Sequence, residues 1–210
     1  MRCTPVASLL LLTALGAGCR SAAGPALVQP GAPGQDSRRV TAEQAAELSR
    51  VQHTAADVRF MQGMIAHHAQ AVEMTALVEA RTTSDDMRLL ARRIALSQED
   101  EIRMMREWLQ RRGQQGPGEH AQHMHPGGLM PGMATPEDMA RLAAAEGRDF
   151  DRLFLELMIR HHAGALTMVE ELFATPGAGQ EGDVFAFASD VDADQRMEID
   201  RMGAMLKERQ

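Results

Sequence analysis

Two stretches of the chain, DVRFMQGMIAHHAQAVEM at residues 57–74 and DRLFLELMIRHHAGALTM at residues 151–168, decide the fold. They align without a gap at an offset of 94, and the wider alignment of residues 41–76 with 135–170 contains 13 identities in 36 positions. Self-similarity of this length indicates an internal duplication. In a second block, at an offset of 97, Gln98, Glu101, Ile102 and Met105 recur as Gln195, Glu198, Ile199 and Met202.

Helical spacing of apolar residues marks four long segments, and no segment shows the sustained alternation of a strand. Helix start signals agree with this division. Thr41 with Gln44 forms a capping-box pattern, Thr135 precedes a proline at a first helical position, and Ser84 can cap a helix that begins at residue 85. The sequence therefore predicts an all-α fold, a four-helix bundle made of two duplicated helical hairpins, each with a short leading helix.

The first residues have the pattern of a signal peptide, with Arg2, an apolar run at 6–15 and small residues before Cys19. The run is shorter than the roughly 20 residues that span a bilayer. LGAGC resembles a lipobox, except that Leu15 lies four residues before the cysteine instead of three. We expect lipid attachment to the membrane through Cys19, with ordinary cleavage to a periplasmic or extracellular protein as the alternative. The predicted segments are a signal peptide (1–18), a flexible tether (19–40), helical repeat 1 (41–112), a His/Met-rich linker (113–134) and helical repeat 2 (135–210).

Composition narrows the classes of function. The formal net charge of −7 becomes −8 when cleavage removes Arg2, which argues against a nucleic-acid partner. After cleavage and acylation no free thiol remains, so any metal must be held by His, Met and carboxylates. The chain has 16 Met and no Tyr. Because methionine is also an adaptable core residue, its abundance alone does not define a ligand set.

Helical phase places polar groups on the buried stripe. At about 100° per residue, Asp57 and His68 share the face of Phe60 and Met64, whereas His67 lies at its flank. Gln98 and Glu101 likewise lie among inward-facing apolar residues of the third long segment. Buried polar groups must be paired or bound to a metal. One interpretation is a hydrogen-bonded core in which Asp57 orients His68; the other is a metal site.

The linker carries a second group of similar side chains among Gly and Pro. Its candidate ligands are His120, His123, Met124, His125, Met130 and Met133. We interpret it as an exposed capture arm, with a plain solvated linker as the alternative. Imidazole and thioether groups without thiolate favour copper, as Cu(I) or Cu(II). Zinc remains an alternative, because His and carboxylate also suit it.

The doubled Met-Ile-x-His-His motif, each copy followed by a helix with Gln-x-x-Glu-Ile-x-x-Met, resembles the bacterial domain-of-unknown-function 305 family, also called CopM-like. The resemblance covers residues 41–210. It implies a ferritin-like helical bundle, an extracytoplasmic location and, in some members, copper binding linked to metal tolerance. By resemblance the ligands are Met64, His67, His68, Met74, Met158, His161, His162 and Met168. The inward-facing positions and their counterparts add Asp57, Met61, Glu101, Met105, Asp151, Glu198 and Met202.

Three functions remain open at this point. The first is copper binding and sequestration, with an unidentified protein partner and no catalytic step. The second is a ferritin-like, metal-dependent redox enzyme, although the Glu-x-x-His pattern of di-iron bundles is absent from the sequence. The third is a structural adaptor whose polar core binds no metal.

Overall fold

Seven helical segments and two short strands make up the described part of the protein. The computed structural model describes residues 27–48, 52–117 and 128–209. The long helices are α2 (Ala55–Ala76), α4 (Asp85–Arg111), α6 (Gly147–Ala174) and α7 (Gly182–Lys207). The short ones are α1 (Ala42–Leu48), α3 (Val78–Arg81) and α5 (Pro136–Ala144). The all-α prediction with four long helices is confirmed, and α1 and α5 begin where leading helices were predicted.

The four long helices pack in pairs. Helix α2 packs against α4, α6 packs against α7, and the pairs meet where α2 contacts α6. None of the helices in the described ranges is both long and apolar enough to cross a membrane.

Side-chain caps fix where the helices begin. Thr135 forms a capping box with Asp138, and the Ser84 hydroxyl accepts a hydrogen bond from the first turn of α4. Both caps were predicted. The capping box of Thr54 with Asp57 at the start of α2 was not predicted, and it changes the interpretation of Asp57 below.

The predicted tether contains structure of its own. Strands β1 (Leu27–Gln29) and β2 (Arg38–Val40) pair antiparallel, with Leu27 opposite Val40. The prediction of a wholly flexible segment at 19–40 is therefore wrong for this part. The β-branched residues Val28 and Val40 suit a strand. These strands are too short to show the hydrophobic alternation from which a strand is predicted, so the sequence pattern did not indicate them.

The buried apolar residues form two separate clusters. The first contains residues of α2 from Phe60 to Ala66, together with the C-terminal half of α4, the C-terminal half of α6 and the start of α7. The second contains Ala71 and Met74 of α2, Val78 of α3 and the opposite halves of the other three long helices. Because each long helix contributes to both clusters, the stretch between them crosses the middle of the bundle.

Candidate metal centre

The middle of the bundle is occupied by a layer of polar side chains. On every long helix, polar residues separate the part that belongs to one apolar cluster from the part that belongs to the other. We call this group the polar layer; it consists of His67, His68, Gln98, Glu101, His161, His162, Gln195 and Glu198. The four histidines are fully buried, and the two glutamines are nearly so.

Two His–Glu pairs form the side of the polar layer nearest α4 and α7. His68 Nε2 lies 2.5 Å from Glu101 Oε2, and His162 Nε2 lies 2.6 Å from Glu198 Oε2. The Glu101 side chain also accepts a hydrogen bond of 3.1 Å from Ser97. A carboxylate oxygen accepts, so in each pair the histidine donates through Nε2.

The rings of His67 and His161 lie against each other, tilted by 37°, where α2 contacts α6. Their ring centroids are 3.9 Å apart. His67 Nε2 lies 3.0 Å from the Pro131 carbonyl oxygen, and His161 Nε2 lies 3.0 Å from the carbonyl oxygen of His67. The prediction that His67 lies at the flank is wrong. The prediction assumed that α2 buries a single stripe of residues. In the structure α2 packs against α4 on one side and against α6 on another, so a second face is also buried.

All four Nδ1 atoms of the polar layer are buried without a hydrogen-bond partner in the described protein, and so are the Oε1 atoms of Gln98 and Gln195. Native proteins pair most buried polar atoms, so a concentration of unpaired ones requires an explanation, of which a bound ion is one. In each histidine the Nε2–H faces an oxygen acceptor. A neutral imidazole carries one N–H, so its lone pair is then at Nδ1. A neutral ring held in this way has the form of a metal ligand oriented by a neighbouring oxygen.

Burial keeps two of these rings neutral. It lowers the pKa of His67 from 6.5 to about 3, with repulsion from His68 as the next cause, although the hydrogen bond to Pro131 acts in the opposite direction. Burial also lowers the pKa of His161 well below its usual value, aided by repulsion from His67 and His162. Both lone pairs are therefore free of protons at neutral pH, as metal binding requires.

Asp57 lies outside the polar layer. Its Oδ2 accepts hydrogen bonds from the Thr54 amide at 2.6 Å and hydroxyl at 2.9 Å, and its Oδ1 accepts from the Gly179 amide at 2.7 Å. The interpretation that Asp57 orients His68 is wrong, because eleven residues separate the two along the helix axis by about 16 Å. Asp151 lies equally far from His162 along α6, and its Oδ2 is 3.8 Å from Arg209 Nε.

The predicted methionine ligands lie in the two apolar clusters that enclose the polar layer. The first cluster contains Met61, Met64, Met105 and Met168. The second contains Met74, Met158 and Met202. Met64 and Met158 are fully buried, and each is one helical turn before a pair of histidines. They pack as core residues and are the thioethers closest in sequence to the imidazoles.

The end of the predicted linker is not exposed. Met130 and Met133 are 4% and 5% exposed and pack in the first apolar cluster. The interpretation of these two residues as part of a solvated capture arm is therefore wrong. Methionine fills irregular core gaps, so a Gly/Pro-rich segment can still be held by its side chains. His120, His123, Met124 and His125 lie outside the described residues, as does Cys19.

A groove between α4 and α7 leads from solvent to the polar layer. It has a volume of about 550 Å³ and is lined in part by Ser97, Asp194 and Glu198. Burial together with repulsion from Glu101 and Glu198 raises the pKa of Asp194. Arg93 and Arg201 also line the groove, so its walls carry charges of both signs. Within residues 27–48, 52–117 and 128–209, no three His, Cys, Asp or Glu side chains are gathered around one point.

These features define a class: an all-α protein of paired long helices with a buried histidine layer at its centre. Residues 57–206 match the family described as Domain of unknown function (DUF305). The chain belongs to this family. No curated protein matches it.

Solved structures support the assignment. A DUF305 protein of Streptomyces coelicolor, assigned as secreted, is 32% identical, with a TM-score of 0.65 over 73% of this chain and 93% of its own. A DUF305 fragment from Deinococcus radiodurans is 36% identical, with a TM-score of 0.62 over 74% and 98%. The Cu(I)-bound form of CopM is 26% identical, with a TM-score of 0.58 over 75% and 98%. CopM has also been solved in Cu(II)-bound and silver-bound forms.

Proposed function

We propose that this protein binds and sequesters copper outside the cytoplasm, in the polar layer, and thereby contributes to metal tolerance. In this account the polar layer is built by two duplicated helical hairpins of a ferritin-like bundle, and the chain is exported and anchored to the membrane through Cys19. The resemblance to CopM, which has been solved in copper-bound and silver-bound forms, supports the choice of metal.

The observation that carries the proposal is the set of four buried Nδ1 atoms without partners. Imidazole nitrogen suits both oxidation states of copper, and the thioethers of Met64 and Met158 suit Cu(I). Zinc prefers a closed tetrahedral set of thiolate, imidazole and carboxylate ligands. In this polar layer the carboxylates are already used to orient His68 and His162.

The charges around the polar layer favour a cation. Glu101 and Glu198 are mostly buried, with side-chain exposures of 13% and 21%. Buried carboxylates need a compensating positive charge, and a bound copper ion supplies it. The groove with Asp194 and Glu198 provides an access route from solvent.

The adaptor alternative fits less well. A core that served only to hold helices together would be more stable if its polar atoms were hydrogen-bonded, because a buried polar group without a partner costs about 1–3 kcal/mol of stability. Here six such atoms lie in a single layer, counted from the four Nδ1 and two Oε1 atoms of the described residues. A bound ion would remove much of that cost.

A Cu(I) titration against a chelator of known affinity tests the proposal. The protein is purified without a tag, with His120, His123 and His125 replaced by Ala so that the linker histidines do not contribute. In this background we expect tight Cu(I) binding. His68→Ala combined with His162→Ala should weaken it by at least about tenfold.

The matched control is His53→Ala. His53 packs against Trp108 at a centroid distance of 5.4 Å, away from the polar layer, so its replacement should leave copper affinity unchanged. Absence of copper binding in the background protein would contradict the proposal. So would an affinity that is equal in the double variant and the control.

A further inference from the structure

Residues 130–134, which we call the strap, cross the bundle where α2 meets α6. The strap is held in place by buried Met130 and Met133, and it leads through the N-cap Thr135 into α5. Its Pro131 carbonyl oxygen accepts the hydrogen bond from His67 Nε2. One backbone oxygen outside the four long helices therefore determines the orientation of a ring in the polar layer.

The two His-His helices, α2 and α6, contact the strap through different residues at one equivalent position. Gln70 and Gly164 are 94 residues apart and occupy the same place in the aligned stretches. Gln70 binds the strap with both ends of its amide: Nε2 donates to the Ala134 carbonyl at 2.9 Å, and Oε1 accepts from the Ala134 amide at 2.7 Å. This is a buried pair of hydrogen bonds between α2 and the strap.

Gly164 makes room for the strap on α6. A Cβ atom at this position would overlap the carbonyl group of Pro131 and would lie 2.7 Å from the Cα of Gly132. Gly132 has a φ of +73°, and a Cβ atom there would lie 2.3 Å from the Arg160 carbonyl oxygen of α6. Since backbone atoms make both contacts, a side chain at 164 cannot be accommodated by a rotamer change. The strap itself would have to move away from His67.

We propose that the strap is the positioning element of the metal centre, with Gln70 and Gly164 as positioning residues that act through His67. With the strap seated, the Nε2–H of His67 is fixed to Pro131 and the Nδ1 lone pair is turned into the polar layer. With the strap displaced, His67 loses its acceptor and its orientation. His161 keeps its own acceptor, the carbonyl oxygen of His67, within the bundle.

The first test needs no metal. In ¹H–¹⁵N spectra of the full metal-free protein, the Nε2–H proton of His67 should exchange slowly with water in the wild type. Gly164→Ala should make its exchange at least about tenfold faster, and the His161 Nε2–H should change much less. Equal protection of His67 in wild type and variant would overturn the proposal.

Gly203→Ala is the matched control, because a Cβ at this helical glycine of α7 meets nothing within 4 Å. It should leave the His67 exchange rate as in the wild type. If Gly164→Ala fails to fold, Gln70→Ala provides the same test, since it removes both hydrogen bonds to Ala134 without adding an atom. Unchanged His67 protection in that variant would equally overturn the proposal.

The second test rests on the proposed function. Gly164→Ala should weaken Cu(I) binding by about 10-fold or more, as loss of a ligand-orienting contact does. In a His67→Ala background the same substitution should have no further effect, because the strap acts through that ring. A full additional loss in that background would show a general structural effect and overturn the proposal. If the wild type binds no Cu(I), the proposed function fails, while the proton-exchange result still decides whether the strap positions His67.

Discussion

Acidification should destabilise the metal-free protein through its buried histidines. The pKa of His67 is 6.5 without burial and about 3 in the folded protein. The unfolded chain therefore binds more protons below pH 6.5. The stability associated with neutral His67 is complete above that pH and declines as the pH falls toward about 3.

The magnitude follows from the two pKa values. At pH 5 the unfolded side chain is largely protonated and the folded one is neutral, so His67 alone reduces the free energy of unfolding by about 2 kcal/mol relative to pH 7. His161 shifts in the same direction for the same main reason, burial, and adds to the effect. Urea unfolding at pH 7, 6 and 5 measures the free energy directly.

His67→Gln should reduce the decline between pH 7 and pH 5 by about 2 kcal/mol. Asp138→Asn is the control. Hydrogen bonding to Arg160 lowers the pKa of Asp138 below 3.8, so the stability that this carboxylate contributes is lost only below that range, and the slope between pH 7 and pH 5 should not change. A flat profile in the wild type, or the same slope in His67→Gln, would refute the reasoning.

Three further outcomes follow from the contacts. Asp57→Asn should lower the free energy of unfolding by about 2 kcal/mol, because the cap and the bond to Gly179 are lost, while copper stoichiometry stays the same; a reduced stoichiometry would restore Asp57 as a ligand. Glu101→Gln combined with Glu198→Gln should weaken Cu(I) binding about tenfold with helix content by circular dichroism unchanged, and full affinity would show that these carboxylates do not orient the histidines. Replacing His120, His123 and His125 by Ala should remove only weak copper binding and leave the unfolding curve unchanged. Met133→Ala, in contrast, should lower the free energy of unfolding by roughly 2–4 kcal/mol. A Met133→Ala protein as stable as the wild type would show that the strap is not packed into the core.

The sequence was sufficient for the long helices because their signals are local. Caps such as Ser84 and Thr135 and the 3.6-residue spacing of apolar positions depend only on neighbours along the chain. The burial of His68 could also be predicted, because it lies on the same stripe as Phe60 and Met64.

The burial of His67 could not be predicted from one helix. It depends on the contact between α2 and α6 and on the strap, which lies 64 residues away in sequence. The same is true of Met130, whose Gly- and Pro-rich surroundings are typical of a loop. Asp57 shows the opposite limitation: helical phase identifies a shared face but not the distance along the axis.

One feature of the sequence does indicate the asymmetric contact that the strap makes with α2 and α6. The aligned His-His stretches are alike on either side of position 70, yet one copy has Gln70 and the other Gly164. A buried position next to the histidines that differs between the two copies indicates that something asymmetric contacts one of them. Only the structure identifies that contact as residues 130–134.

The most direct test of the metal centre is anomalous diffraction at the copper edge from crystals of the Cu(I)-loaded protein. The account predicts an anomalous peak within the polar layer, about 2 Å from Nδ1 atoms among His67, His68, His161 and His162, with the Nε2 atoms still bonded to their oxygen acceptors. A peak bound only by methionine sulfur elsewhere in the bundle, or no peak in the layer from a protein that holds copper in solution, would contradict it.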